Sequence, residues 1–263
     1  MKVVVTGGAG LLGTALLRSA PEGCHVRGTT RAEVELTDAA AVSELIDATE
    51  PDLVIHTAYS KADHAQTVQS TRVVAEACGA RGIGLIHFST DSVFDGEHAP
   101  YDEADPPAPI HPYGRAKADA EALVIAAVPD AVVIRTSLVL ADDGTDGTSA
   151  WAIDTLRAGR RVTFFHDEYR TPILVDDLAA QTWEIAALAR PERAGFWHLG
   201  GVDRMSRLEL GRLLCARFGL DPALIDIAAS ASVGEPRPRD VSLNSSRARR
   251  QLSVVPRGLG SIA

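Results

Sequence analysis

Cysteine is scarce in this chain of 263 residues: Cys24, Cys78 and Cys215 are odd in number, widely separated and never in a C-x-x-C pair. That spacing excludes a disulfide framework and a thiolate zinc site. The eight histidines show no H-x-H or H-E-x-x-H spacing, so no metal site is expected. No apolar run approaches the roughly 20 residues of a membrane span. Nor does a basic-then-apolar signal segment precede the opening Met1-Lys2-Val3-Val4-Val5 run. A cytoplasmic, reduced protein is the expectation. Excess positive charge is missing too: the formal net charge is -9, which argues against a nucleic-acid backbone as partner. A pocket can still be locally basic on an acidic protein, so a phosphorylated ligand stays open. Internal repeats and low-complexity tracts are absent. With 46% apolar and 23% charged residues the chain reads as an ordinary globular protein. Its length suits one large α/β domain, or a dinucleotide domain with a small second lobe.

Apolar periodicity supplies the organisation. Short β-branched or apolar runs at Lys2–Thr6, Val26–Thr30, Asp52–His56, Gly82–Ser89 and Ala131–Thr136 predict strands. Helical spacing occupies Leu11–Ser19, Ala39–Thr49, Thr67–Ala80 and Tyr113–Ala127. Strand and helix alternating over short connections predict an α/β fold, a doubly wound parallel Rossmann sheet. Beyond residue 136 the rhythm breaks at the polar, glycine-rich stretch 141–148. A helix at Trp151–Ala158, a strand at Arg161–Phe165 and a helix through Leu188 capped by Asp176 are expected. A late strand at Gly195–Leu199 and an amphipathic helix at Ser206–Phe218 closed by Gly219 follow. Prolines make Glu235–Asp240 extended. The expected division is a dinucleotide-binding domain over 1–140, rejoined by 171–201. A smaller, interleaved C-terminal substrate lobe takes 141–170 and 202–263.

Thr6-Gly-Gly-Ala-Gly-Leu-Leu-Gly13 lies between a predicted strand and a predicted helix, the context a dinucleotide fingerprint requires. Glycines let the backbone approach a pyrophosphate, and the helix start offers free N–H groups and a positive dipole end. Two registers fit, Gly8-x-Gly10-x-x-Gly13 and Gly7-x-x-Gly10-x-x-Gly13. Gly7, Gly10, Leu11, Leu12 and Gly13 are therefore the expected cofactor loop. At the end of the second strand stands Thr29-Thr30-Arg31, without the acid that would take the ribose hydroxyls of NAD. A planar guanidinium at Arg31 suits a 2′-phosphate, which favours NADP(H). NAD(H) is the alternative, with Glu33 or Glu35 on the ribose and Arg31 merely solvated.

Tyr113-Gly-Arg-Ala-Lys117 places a phenol and an ammonium four apart, on one helical face. A neighbouring ammonium favours the phenolate and predicts a lowered pKa for Tyr113. Ser89-Thr90-Asp91 closes a predicted strand, and strand ends on that edge face the cofactor crevice. A hydroxyl there can hydrogen-bond a substrate carbonyl while Tyr113 supplies the proton.

Taken together, the glycine loop, Ser89-Thr90 and Tyr113-x-x-x-Lys117 resemble the extended short-chain dehydrogenase/reductases. Phe88-Ser-Thr-Asp-Ser-Val-Phe-Asp-Gly96 is similar to the S-T-D-x-V-F-D-G signature of the dTDP-4-dehydrorhamnose reductase group. Tyr101–Asp105, His111–Lys117, Arg135-Thr-Ser137, Arg170-Thr-Pro172 with Asp176–Ala179, and Arg237–Asp240 resemble further elements of that group. The resemblance runs from residue 3 to about 250. It implies reduction of the 4-keto group of a nucleotide-linked 6-deoxy sugar. Tyr113 would be the proton donor and Lys117 the residue that holds the nicotinamide ribose and tunes Tyr113. Thr90 would orient the keto oxygen. Ser89, Thr57, Ala58 and Tyr59 fall at strand ends that touch the cofactor, and Asp91 and Ser92 line the sugar pocket. Arg170 and Arg237 join the substrate side, Arg237 near the sugar-nucleotide diphosphate. Four positions depart from the pattern: Leu138 for a tryptophan, Ser92 for a tyrosine, Thr67 for a helix asparagine, and Leu243-Asn244 for Leu-Asp.

The implied partner is a small nucleotide sugar, with no nucleic acid and no membrane; a homodimer is the assembly allowed for. Two other readings stand beside the reductase. One is an epimerase, or a reductase of another carbonyl compound, motivated by the altered pocket residues. The other is a non-catalytic, cofactor-binding regulatory subunit, against which the intact Tyr113 and Lys117 count. Arg247, Arg249 and Arg250 read as a solvated helix face, and Trp183 and Trp197 as core.

Overall fold

A computed structural model of the chain describes residues 1–60, 63–234 and 236–262. Its centre is a six-stranded, all-parallel sheet. The strands are β1 (Lys2–Thr6), β2 (His25–Thr29), β3 (Leu53–His56), β4 (Gly84–Thr90), β5 (Val132–Thr136) and, later in the chain, β10 (Gly195–Leu199). They lie in the order β10-β5-β4-β3-β1-β2. From β1 the chain first steps outward to β2, then crosses back to β3 on the other side. The crevice beyond the carboxyl ends of β1 and β3 is thus the switch point at which such sheets bind ligands.

Strand residues alternate between two buried faces, as side chains on a pleated strand must. Val3, Val5, Leu53, Ile55, Ile86, Val132 and Ile134 pack against α1 (Leu11–Arg18) and a later helix, α6 (Val175–Ala187). On the opposite face Val4, Val54, Leu85 and Val133 meet α2 (Ala39–Thr49), α3 (His64–Arg81) and α4 (Pro112–Ala127). Near-continuous Val/Ile runs follow from burial on both faces. Asp38 caps α2 through the amides of Ala40 and Ala41, and Asp63 caps α3 through Gln66. Gly82 ends α3 at φ +67°, a left-handed conformation suited to glycine.

After β5 come β6 (Val139–Leu140), α5 (Gly147–Arg157), β7 (Val162–Phe165), β8 (Tyr169–Arg170) and β9 (Ile173–Leu174). β6 pairs with β9, which returns the chain to α6, a short α7 (Arg190–Arg193) and β10. The remainder holds β11 (Met205–Ser206), α8 (Arg207–Phe218), β12 (Ile225–Ala228) and α9 (Ser246–Gln251). β7 pairs with β12, and Ala152, Ile153, Leu156, Phe164, Leu208 and Leu214 make a separate small core. A full capping box starts α8: Ser206 and Glu209 each take the other's backbone amide, and Gly219 closes the helix at φ +62°. α9 packs back on β10, and its Ala248 belongs to the main core.

Two sequence expectations need correction. Asp176 does not cap α6; the N-cap is Leu174, and Asp176, one residue into the helix, pairs with Arg18 of α1. Arg247 is not a solvated residue: its guanidinium lies 3.9 Å over the Trp197 ring and donates to the carbonyls of Phe196, Glu192 and Ala194. Arg249 and Arg250 are exposed. Trp183 and Trp197 are core, each with its indole N–H on a backbone carbonyl. Of the segment expected to be extended at 235–240, Glu235 lies outside the described residues; Pro236–Pro238 carries no helix.

Candidate active site

The glycine loop forms a tight cradle. Gly7 has φ +76°, and a Cβ there would lie 2.8 Å from Thr57 Oγ1 and 3.0 Å from Ala58. Strand β3 therefore ends directly against the loop. A Cβ on Gly13 would sit 2.2 Å from the Gly7 carbonyl oxygen, and one on Gly8 2.9 Å from Gly28 Cα. Gly8 N–H donates to Thr29 and Gly10 N–H to Gly7, both at 2.9 Å. The N-cap of α1 is Gly10, which has no side chain to cap the helix. The first-turn amides of Leu11, Leu12 and Gly13 thus keep their capacity for an anion. A cleft of about 470 Å³ runs past Gly10, Leu11 and Thr14 to Ala141, Thr145 and Val175. A close-packed glycine turn beside an uncapped helix start fits a dinucleotide pyrophosphate.

Arg31 stands beyond β2, its side chain 73% exposed and 3.6 Å from Glu35. Glu33 is exposed and folded back on Thr30: its carboxylate accepts from Thr30 N–H and Thr30 Oγ1, both at 2.8 Å, which hold it below the usual carboxylate range. Glu35 is likewise held by Thr37. Arg31 is accordingly the freer of the three groups.

α4 begins at Pro112, whose missing N–H costs nothing in the first turn. His111 caps it, Nδ1 accepting from Gly114 N–H at 3.0 Å. Tyr113 is half-buried among the rings of Tyr59, His64 and His111, with centroids 6.1–6.2 Å away. Burial pushes the phenol above its ordinary pKa of 10, helped by Tyr59 and Asp91 and opposed by a hydrogen bond with Thr90. The expected lowering by Lys117 is therefore corrected. Desolvation sets the direction, and the buried Lys117 ammonium is engaged elsewhere, on the Phe88 carbonyl and 3.5 Å from His87 Nε2. Burial also lowers Lys117 to about 8, with Glu121 one turn further along opposing the shift.

Thr90, Asp91 and Ser92 leave β4 through a short 3-10 turn. Thr90 Oγ1 accepts from Ser92 N–H and donates to Asp91 Oδ1 at 3.3 Å. Asp91 is buried; its other oxygen accepts from Ser137 at 2.6 Å and lies 3.7 Å from Arg170. Burial raises the Asp91 pKa, while Arg170 and the three hydroxyls pull it back. Arg170 in turn meets Glu168 at 3.1 Å, and Arg237 binds that same carboxylate at 2.6 Å over the Phe165 ring. Burial lowers the His111 pKa, and Arg170 and Asp91 act on it in opposite senses. Ser89 Oγ is buried without a partner among the described residues.

The second half of the S-T-D-x-V-F-D-G element is structural. Phe94 is fully buried and stacks on Tyr101, with centroids 4.1 Å apart. The Tyr101 hydroxyl accepts from the amides of Gly96, Glu97 and His98 and donates to Asp95. Gly96, at φ +90°, lets the Pro238–Arg239 backbone approach; a Cβ would stand 2.6 Å from Arg239 N. That packing carries Arg237 toward Arg170. Sequence reasoning assigned no role to His111, Ser137, Glu168, His87 or the Glu121–Arg135 pair. His111-Pro112 was a readable cap signal, whereas nothing local marks Glu168. At the four departures, Leu138 is half-buried beside Leu140 and Leu174, and Ser92 bonds Asp91. Thr67 accepts from Ser60 N–H, and Asn244 donates to Asp102.

Known proteins resemble the whole chain. The family model described as the RmlD substrate binding domain matches residues 1–259. A probable low-salt glycan biosynthesis reductase of Haloferax volcanii is 34% identical over 96% of this chain and 92% of its own. A dTDP-4-dehydrorhamnose reductase of Mycobacterium tuberculosis is 32% identical over 90% of this chain and 82% of its own. Among solved structures, dTDP-4-dehydrorhamnose reductase of Bacillus anthracis in complex with NADP superimposes with a TM-score of 0.88 at 21% identity, covering 99% of this chain and 96% of that one.

Proposed function

The chain belongs to the RmlD substrate binding domain family, and from that premise we propose that it is an NADP(H)-dependent reductase of a nucleotide-linked 4-keto-6-deoxy sugar. The observation that carries the reading is the convergence of Thr90 and Tyr113, backed by Lys117, at the sheet edge where the glycine cradle opens.

Gly7, Gly10 and the Leu11–Gly13 amides would hold NADPH, which would supply the hydride for the keto carbon. Thr57, Ala58, Tyr59 and Ser89 border it, and Arg31 takes its 2′-phosphate. Tyr113 donates the proton to the keto oxygen. Its raised pKa keeps it protonated at neutral pH, the state a donor needs. Lys117, charged below about pH 8, holds the nicotinamide ribose and offsets the phenolate left after transfer. Thr90 orients the keto oxygen. Asp91 and Ser92 line the sugar side, where Arg170 acts by holding Asp91 and Arg237 reaches the diphosphate. The small core built on α5, β7, β12 and α8 forms the substrate lobe of a two-part chain. A cytoplasmic location goes with this reading; no helix among the described residues is long and apolar enough to cross a membrane.

The test is consumption of NADPH with a dTDP-4-keto-6-deoxyhexose. Tyr113→Phe is expected to lower the rate by roughly 10²-fold or more while NADPH still binds. Wild type inert on that substrate class sinks the sugar assignment. Tightly held NAD with no net NADPH consumption points to an epimerase. An unchanged Tyr113→Phe rate would remove Tyr113 from the mechanism.

A further inference from the structure

A polar row crosses an otherwise apolar sheet face. Under α3 and α4 the layer Val4, Val54, Leu85 is hydrophobic. Two residues nearer the carboxyl edge, Thr6, His56 and His87 stand side by side in register on β1, β3 and β4, all buried. His56 is satisfied: Nδ1 lies 2.7 Å from Thr6 Oγ1 and Nε2 3.2 Å from Thr71 Oγ1. His87 differs. Its ring stacks on His56 at 5.4 Å, its Nδ1 has no partner among the described residues, and its Nε2 faces Lys117 Nζ at 3.5 Å. A buried imidazole is costly without a hydrogen bond, and among the described residues Lys117 is the one group that offers it.

We infer that His87 is a positioning residue for Lys117: Nε2 accepts one ammonium N–H and the Phe88 carbonyl a second, which leaves the third for the crevice and Tyr113. An ammonium has three donors and no acceptor on a flexible stem. Two fixed acceptors on one strand turn that rotating group into a directed one. To accept, His87 must be neutral with its proton on Nδ1. Burial and the nearby Lys117 hold its pKa well below 6.5, so it is neutral throughout the working range. The other groups around Lys117 are His56 on β3 and, one turn away on α4, Tyr113 and Glu121; Asp91, after β4, acts on Tyr113. Arg135 on β5 grips Glu121 at 2.8 Å, and His64 on α3 stands against Tyr113. Of these Glu121 favours the charged lysine, and its charge is already shared with Arg135. The contact at 3.5 Å is at the long limit of a hydrogen bond; its weight comes from burial of both partners.

The catalytic consequence rests on the reductase reading; the lysine–histidine contact itself does not. The chain contains three lysines, Lys2, Lys61 and Lys117. With ¹³Cε-labelled lysine three signals are expected, that of Lys117 titrating at about 8 against the ordinary 10.5. His87→Leu removes an acceptor that favours the charged form, so Lys117 is expected to titrate about one unit lower or more. His87→Gln, which keeps an acceptor oxygen, returns part of that shift. In turnover, the alkaline limb of kcat moves down with it in His87→Leu. A Lys117 titration that is the same in wild type and His87→Leu overturns the inference, as does His87→Gln behaving like His87→Leu. Should the variants fail to fold, ¹⁵N-histidine spectra of the wild-type protein decide: an Nδ1–H tautomer is required, and Nε2–H overturns it. Wild type inert on the keto sugar would sink the reductase reading and leave these titrations standing.

Discussion

Replacing Gly13 by alanine sets two effects of opposite sign against each other. Gly13 lies inside α1, where intrinsic helix propensity favours alanine by about 1 kcal/mol. Its Cβ, however, would come to 2.2 Å from the Gly7 carbonyl oxygen and 2.8 Å from Gly8 Cα. The loop has little room to retreat: Gly7 is backed by Thr57 and Ala58, and Gly8 by Gly28, to whose neighbour Thr29 it is hydrogen-bonded. Relief means shifting the loop and straining the Gly10-to-Gly7 hydrogen bond of 2.9 Å. Overpacking costs about 1–3 kcal/mol and the bond about 1. After the propensity gain, about 1–3 kcal/mol remains against the cradle. NADPH affinity should fall roughly 5- to 150-fold. Fluorescence titration of NADPH, with circular dichroism to confirm a native fold, measures it. A Kd within threefold of wild type in a folded Gly13→Ala protein would refute the claim that this loop closes around the cofactor.

Arg31→Ala should weaken NADPH by roughly 10- to 100-fold and leave NADH unchanged, since a charge-assisted bond is worth about 1.5–3 kcal/mol; equal losses for both dinucleotides would count against a 2′-phosphate contact. Glu121→Gln strands the Arg135 guanidinium, both side chains being at most 3% exposed, and should cost about 3–5 kcal/mol in urea unfolding. A loss below 1 kcal/mol would contradict that pairing. His56 and His198 are pushed down to about 3 by burial, and His87 lies well below 6.5. Their folded pKa values are depressed, so below pH 6.5 the unfolded chain binds protons that the native one refuses. Stability is then full above pH 6.5 and lost as pH falls toward 3, with a slope of up to about 4 kcal/mol per unit near pH 5. A flat profile between pH 6.5 and 4.5 would exclude it.

The sheet was legible because β1, β3, β4 and β5 are buried on both faces and α2, α3 and α4 carry side-chain caps. Runs such as Val3–Val5 and Val132–Ile134 have few other uses, and the α2 bounds Ala39–Thr49 were readable to the residue. The glycine loop, Thr90, Tyr113 and Lys117 were legible for a related reason, since backbone closeness and acid–base chemistry restrict which residues serve. Long-range pairing was not. Nothing near Glu168 announces that Arg170 and Arg237 will share it, 69 residues separating the carboxylate from Arg237. Arg247 reads as part of a basic cluster, and only the arrival of β10 puts Trp197 beneath it. The Tyr113 pKa went astray because spacing reports which charges are near and says nothing of how dry the site is.

The placement of β10 bears on how the chain is made. It is the outer strand of the sheet and covers the flank of β5, yet more than fifty residues separate the two in sequence. Until Leu199 has left the ribosome, Val132–Thr136 is a parallel edge without its neighbour, apolar over Val132–Ile134. Such an edge pairs readily with other chains. The loop, Thr90, Tyr113 and Lys117 are all synthesised well before that flank is closed. A nascent chain can therefore hold every reacting group and still be a sticky half-sheet, so a product cut at Arg190 should be recovered as aggregate.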